Sequence, residues 1–294
     1  MRVTLISRIY SPEPAAASFF LEAVARELAR AGHHVDVLTV TPPRWVAPTE
    51  ETGVTTYRFP VIRDRRGYVR GYLQYLSFDI PLAFRMLFRR RPDVYLVEPP
   101  PTTGAVVRLI AFLQRRPYVY DAADVWADAA ALTTSSRLVL SVVRRLELMA
   151  VNGAAHAVTI SRAVAERFGA LGSRTEFTVT GFGVDTASFL RDDSEEAVKQ
   201  FVYAGTYSEV HGAEIFVDAF ARFSETHPGY RLLFIGNGSA AETIAERSAL
   251  LGLTEVRVEA TVTPDVLAGI LSRSTASLAS LLRRCTPRCR SAAP

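Results

Sequence analysis

Cysteine is almost missing from this 294-residue chain: Cys285 and Cys289 are the only two, and both stand at its very end. A disulfide framework across the rest is excluded. A structural zinc site is disfavoured too, because "LRRCTPRCRSAAP" offers one Cys-x3-Cys and no histidine. Lysine is just as scarce. Lys199 stands alone, leaving 33 of the 34 basic residues as arginine. That bias fits GC-rich coding DNA better than 33 selected contacts. The net charge of +4 equals the four arginines Arg283, Arg284, Arg288 and Arg290, so the chain before them is balanced. Whole-chain basicity therefore points to no acidic partner. No apolar run approaches the ~18–20 residues of a membrane span. "MRVTLIS" turns polar too early for a signal peptide, which points to a cytoplasmic protein. No Gly-x-Gly-x-x-Gly follows the first strand, which disfavours a nicotinamide dehydrogenase.

What is present is apolar substance, at 49% hydrophobic residues, enough for two domains. "RVTLIS" reads as a buried strand. After the loop "RIYSPEPAAAS", Ala17, Leu21, Val24 and Leu28 fall on one helical stripe. Gly32 stands where a helix ends, and "HVDVLTV" begins the next strand. Strands recur at "TTYRF", "DVYLVE", "YVYDA", "AHAVTI" and "EFTVT", most of them separated by helical stretches. Such alternation predicts a parallel sheet with helices on both faces. The Gly-, Asp-, Ser- and Glu-rich stretch "GFGVDTASFLRDDSEEAVKQ" then breaks the pattern, and a second α/β unit starts at "FVYAG".

Ligands of such sheets sit beyond the carboxyl ends of the strands. In "FVYAGTYSEVHGAEIF", Gly205 and Gly212 bracket a loop before a helix N-terminus, where free N–H groups suit a diphosphate. In "LFIGNGSAAE", Gly236 and Gly238 allow close backbone approach. The competing reading is that these glycines simply turn the chain after a strand. In "YVYDAADVWADAA", Asp121, Asp124 and Asp128 follow a strand and flank Trp126. They can bind ligand hydroxyls and accept a proton, or they can cap the next helix. Glu98, at the end of "DVYLVE", is a weaker candidate for the same task. Residues 61–91 hold eight arginines against Asp64 and Asp79, interleaved with aromatics. They can lie on an anionic membrane, or form a helix that turns its aromatics inward and solvates its arginines. No nucleic-acid motif accompanies them.

Taken together, "GTYSEVHG", "YRLLFIGNGSAAETI", "VTISRAVAERF", "TVTGFGVDTASF" and "RAGHHVDVLTV" make roughly residues 1–281 resemble a family 4 glycosyltransferase of the GT-B fold. The resemblance implies α/β architecture with two facing Rossmann-like domains. It sets an acceptor-type domain at 1–180, a linker at 181–200 and a partial nucleotide-sugar domain at 201–281. It implies retaining transfer of a hexosyl group from a nucleotide sugar to a saccharide or lipid-linked saccharide, as in polysaccharide biosynthesis. The nucleotide sugar is a co-substrate, and no metal or other cofactor is expected. Gly205, Thr206, His211, Gly212, Gly236, Asn237 and Gly238 would line the donor phosphates. Asp124 and Asp121 would be catalytic, with Tyr10, Ser11, Glu98 and Trp126 on the acceptor side. Thr206 and His211 stand where the family usually has Arg and Lys, and Phe182 stands where Asn is common.

The family's Glu-x7-Glu segment follows the fourth donor-domain strand. Here "STASLASL" is followed by residues 282–294, without Glu, Asp or an aromatic. This reads as a non-native tail after a frameshift. The expectation is then an incomplete second domain, and the alternative function is a catalytically inactive fragment retaining at most acceptor or membrane binding.

Overall fold

Among the described residues, thirteen elements build the first part of the chain in near-regular alternation. They are β1 (Arg2–Ile6), α1 (Ala16–Arg30), β2 (His34–Val40), β3 (Val54–Phe59), α2 (Tyr72–Phe88), β4 (Val94–Val97), α3 (Pro101–Gln114), β5 (Tyr118–Asp121), α4 (Trp126–Thr133), α5 (Arg137–Gly153), β6 (His156–Thr159), α6 (Arg162–Leu171) and β7 (Phe177–Val179). Seven described elements follow in the second part: β8 (Val198–Thr206), α7 (Ile215–Thr226), β9 (Arg231–Asn237), α8 (Ala241–Leu250), β10 (Val256–Glu259), α9 (Pro264–Arg273) and β11 (Ser274–Leu278). The computed structural model describes the whole chain except residues 14, 44–52, 65–66, 68, 70, 184–185, 187–188, 190–196, 208–211, 239 and 280–294. Contacts divide it into two units, Met1–Gly183 and Val184–Pro294.

The first unit is a seven-stranded parallel sheet in the order β3-β2-β1-β4-β5-β6-β7. Its central strands are near-continuous apolar runs because helices cover both faces. On one face, α1 buries Leu21 and Ala25 against Leu5, Val35 and Val37. On the other, Phe78, Leu82 and Met86 of α2 and Val107, Ile110 and Ala111 of α3 join Ile6, Val97 and Tyr120. Each fully buried side chain of this size contributes roughly 1.5–3 kcal/mol. Pro101 opens α3 at a position that needs no N–H donor. A buried polar link ties α2 to α3, with Thr103 Oγ1 donating to Asp79 Oδ1 at 2.6 Å.

The second unit is built alike, with the order β10-β9-β8-β11, all parallel. Val217 and Phe220 of α7 pack with Ile244 of α8, Tyr203, Tyr207 and Phe234 on one face. Val202, Leu233 and Ile235 meet partly buried residues of α9 on the other. The cover is uneven: α9 has no buried residue, while α7 and α8 have two each. The fold is α/β, with two Rossmann-like sheets.

Candidate functional site

In the first sheet the strand order reverses direction between β1 and β4. The chain leaves β1 for β2 on one side and returns as β4 on the other. The loops past the carboxyl ends of these two strands therefore diverge, leaving the opening in which such sheets hold ligands. Ser7 and Arg8 follow β1 there, and Glu98 follows β4.

Ser7 and Glu98 meet directly, and Arg8 acts on Glu98 through its charge. Ser7 Oγ accepts from the Ile9 N–H at 3.0 Å and lies 2.6 Å from the Ile9 carbonyl and 2.9 Å from Glu98 Oε2. A hydroxyl has one proton, so it can serve only one of those two acceptors at a time. A protonated Glu98 satisfies both contacts by donating to Ser7 Oγ itself. Burial pushes the Glu98 pKa up to about 7, with Asp121 and Asp124 adding to the rise and Arg8 and Ser7 opposing it. The Arg8 guanidinium is buried. It donates to the Val69 carbonyl at 2.6 Å and lies over the rings of Tyr75 at 4.8 Å and Trp126 at 5.6 Å. Those rings stand edge to face, 6.2 Å apart.

Asp121 closes β5 and is buried, while Asp124, three residues on, is exposed. Desolvation and the neighbouring Asp124 raise the Asp121 pKa to about 7, and desolvation raises that of Asp124. The strand ends are pinned beneath them. Ala122 N–H donates to the Val158 carbonyl at 2.8 Å, and Thr159 Oγ1 donates to the Ala122 carbonyl at 2.8 Å.

Capping of the following helix falls to a residue from another element. The N-cap position of α4 is Val125, which offers no side-chain acceptor. Glu147, buried on α5, accepts from the Trp126 and Ala127 N–H groups at 2.7 and 2.9 Å. Asp128 lies apart from the cluster and makes a bidentate pair with Arg167 on α6, at 2.7 Å for both bonds. Of the three aspartates, then, Asp121 and Asp124 share an environment with Glu98, and Asp128 is a surface ion-pair partner.

Tyr10 and Ser11 are both buried. Tyr10 belongs to the core beneath α1, and the Ser11 carbonyl accepts from Arg58 at 2.5 Å. Trp126 is half-buried against Tyr75 and Arg8. In the basic segment, Arg63 holds Glu13 at 2.6 Å and the Thr41 and Gly67 carbonyls at 2.7 Å. Arg85 lies 4.1 Å over Phe59 and Arg89 3.4 Å over Tyr57. Those three cations are used inside the unit. Arg65, Arg66 and Arg70 lie outside the described residues.

In the second unit the candidate residues cluster at the carboxyl ends of β8 and β9. Gly205 faces Gly236 in register, and Thr206 faces Asn237. The Tyr207 N–H donates to the Asn237 carbonyl at 2.9 Å, and the Ala240 N–H to the Tyr207 carbonyl at 2.8 Å. A Cβ on Gly236 would lie 2.0 Å from Gly205 O, and one on Gly238 2.5 Å from the Tyr207 backbone. The close approach at these two glycines is thus made by the chain's own backbone. Gly205 differs, because the atoms nearest a Cβ there belong to the Tyr203 ring at 3.8 Å. Gly212 is buried with φ +57°, just before α7. His211 lies outside the described residues, as does the sequence tail.

Residues 17–183, more than half the chain and nearly all of the first unit, match the family model of the glycosyl transferase 4-like domain. The chain belongs to that family. No curated protein matches the sequence. Among solved structures, the sucrose-phosphate synthase of Thermosynechococcus elongatus has a TM-score of 0.71 at 14% identity, covering 98% of this chain and 77% of the other. WaaG, a glycosyltransferase involved in lipopolysaccharide biosynthesis, also gives 0.71 at 14% identity, over 96% and 75%. The UDP-GlcNAc 2-epimerase of Neisseria meningitidis, bound to UDP-GlcNAc, gives 0.58 at 14%, over 94% and 77%. At such identities the likeness establishes the fold alone, and an epimerase shares it. The family match is what separates transfer from epimerisation.

In this glycosyl transferase 4-like domain, sequence reasoning missed Arg8, Tyr75 and Glu147. Arg8 was one arginine among many in a chain biased toward them. Glu147 sits mid-helix, where nothing local marks it as the cap of a helix twenty residues earlier. A signal for Arg8 did exist: it follows β1 directly, in the loop already marked for ligand binding.

Proposed function

We propose that the chain transfers a hexosyl group from a nucleotide sugar to a saccharide or lipid-linked saccharide, with retention of configuration. The observation that carries this reading is the Glu98–Ser7–Arg8 group with Asp121 and Asp124, at the strand reversal of a glycosyl transferase 4-like domain. A carboxyl that titrates near 7 can hold a proton or release it at neutral pH, as acceptor activation requires. Glu98 is the proton-handling group in this reading. Asp124, on the exposed side, orients the acceptor hydroxyl, and Asp121 and Arg8 tune Glu98 from behind. On the donor side, Gly205, Thr206 and Asn237, with Gly212 just before α7, are the residues that would face a diphosphate, because backbone N–H groups near a helix N-terminus favour anions.

A panel of UDP-, ADP- and GDP-sugars with saccharide and lipid-linked acceptors tests it, read as release of nucleoside diphosphate. Release that needs an acceptor, and that drops by about 10²-fold or more in Glu98→Gln and Asp124→Asn, is the expected result. Nucleotide or acceptor binding without release would favour the non-catalytic reading. Release that both variants preserve would remove the carboxylates from the mechanism.

A further inference from the structure

We propose that the outward face of α2 and α3, flanked by α5, docks the chain onto an anionic lipid surface. Leu73, Leu76, Ile80, Phe84 and Leu87 fall at i, i+3, i+7, i+11 and i+14 on α2, and every one is exposed, Leu73 at 70% and Phe84 at 58%. The opposite face of the same helix carries Phe78, Leu82 and Met86 into the core. A helix apolar on both sides belongs in a buried setting, yet one side of this one is uncovered. The stripe continues onto its neighbour. α2 packs against α3, and α3 against α5. Phe112 is 79% exposed and Leu113 stands beside it on α3, while Leu138 and Val142 are exposed on α5. Exposed apolar residues on three helices that pack side by side mark an interaction site.

Charge selects the occupant. Over residues 72–91, 101–116 and 137–153 there are ten arginines, and the only acidic residues are Asp79 and Glu147. Both acids are buried, at 2% and 1% exposure, one holding Thr103 and the other capping α4. The outward face of these helices therefore carries no negative charge. An apolar centre with arginines such as Arg90, Arg115 and Arg145 exposed around it matches acyl chains beneath anionic headgroups. A second copy would set these arginines against their own kind. The surface is assembled from three separated segments. It takes α2 from the basic segment 61–91 and adds α3 and α5, while Arg63, Arg85 and Arg89 of that segment are engaged within the unit.

Cosedimentation of the full chain with phosphatidylcholine vesicles, with and without phosphatidylglycerol, provides the test. The chain should sediment with the anionic vesicles, less so as salt rises, and stay free with phosphatidylcholine alone. The double variant Phe84→Glu/Phe112→Glu should bind about tenfold more weakly or worse, with its circular dichroism and Tm unchanged. Phe84→Ser/Phe112→Ser provides the milder comparison if the acidic pair disturbs folding. Wild-type chain that stays free of anionic vesicles would overturn the proposal, and so would variants that bind as wild type. A wild-type dimer that these substitutions split, in a chain that ignores vesicles, would assign the face to a second copy instead.

Discussion

The strand ends of the first unit carry polar and charged side chains, and those of the second carry glycine. At or just past the ends of β1, β4 and β5 stand Ser7, Arg8, Glu98, Asp121 and Asp124. In the last residues of β8 and β9 stand Gly205 and Gly236, with Gly238 just past β9. Both arrangements sit where a parallel sheet opens to ligand, but they fail differently. A side-chain site titrates with pH and tolerates isosteric change in its fold. A backbone site does not titrate, and one added methyl group can break it.

The sharpest way to break the comparison is Gly236→Ala. Its Cβ would lie 2.0 Å from a backbone oxygen at φ +140°, and neither atom can move without parting β8 from β9. A loss of about 4 kcal/mol or more is expected, at the top of the range for single substitutions. Calorimetry should show it as loss of the second unit's transition while the first unit's persists. Gly205→Ala should cost only about 1–3 kcal/mol, through its φ of +156°, since its Cβ would meet only the Tyr203 ring at ordinary contact distance. A fall in nucleotide affinity in that folded variant would then report on ligand contact. Equal stability of the two variants would mean that strand packing does not explain the glycines.

This contrast bears on what the sequence could reveal. The spacing of Gly205, Gly236 and Gly238 located the strand ends, since turning after a strand and approaching a phosphate select the same residue. It could not say which cause operates, because the register of Gly205 on Gly236 is a long-range fact. The carboxylates were legible for the opposite reason. Asp121 and Glu98 end apolar runs, where a charge has little structural reason to be. Their ranking was not legible, since the proton-sharing contact between Glu98 and Ser7 joins residues 91 positions apart. Tyr10 and Ser11 lie in the right loop, but the folding of α1 and Arg58 onto it turns them inward.

The second prediction uses pH. Glu98 and Asp121 would ionise near 4.5 and 3.8 in the unfolded chain and near 7 when folded. Between those values the folded state binds more protons, so raising the pH favours unfolding. The first unit's stability should fall as pH rises from about 4 to about 7 and level off above that. One proton sets a slope of at most about 1.4 kcal/mol per pH unit. Partial exposure of Glu98 and coupling to Asp121 bring the total nearer 2–3 kcal/mol. Other groups titrate too, so the difference between wild type and Glu98→Gln isolates the effect. A Tm difference that stays constant from pH 4 to 8 would contradict the raised pKa.

Glu147→Ala comes next, at about 1–2 kcal/mol, because it strips two N–H groups at the start of α4 of their acceptor. Its distinguishing readout is Trp126 emission, which should shift red as the indole loosens from Tyr75 and Arg8. Glu147→Gln keeps an acceptor oxygen and should recover part of both changes. Unchanged emission in Glu147→Ala would show that α4 is held in place by packing alone.

The smallest expected effect separates the three aspartates from one another. Arg167 and Asp128 make a well-formed bidentate pair, but each side chain is 47% exposed. Water and salt screen such a pair, so Arg167→Ala should cost only about 0.2–1 kcal/mol, and less as ionic strength rises. Its transfer activity should equal that of the wild type, because Asp128 points to α6 and shares nothing with Glu98. Asp124→Asn, four residues earlier, should do the reverse and cut turnover while leaving Tm in place. If Arg167→Ala impaired transfer as deeply, the functional boundary within "DAADVWAD" would be misdrawn. The loop and α4 would then have to act as one unit, positioned jointly by Glu147 and Arg167.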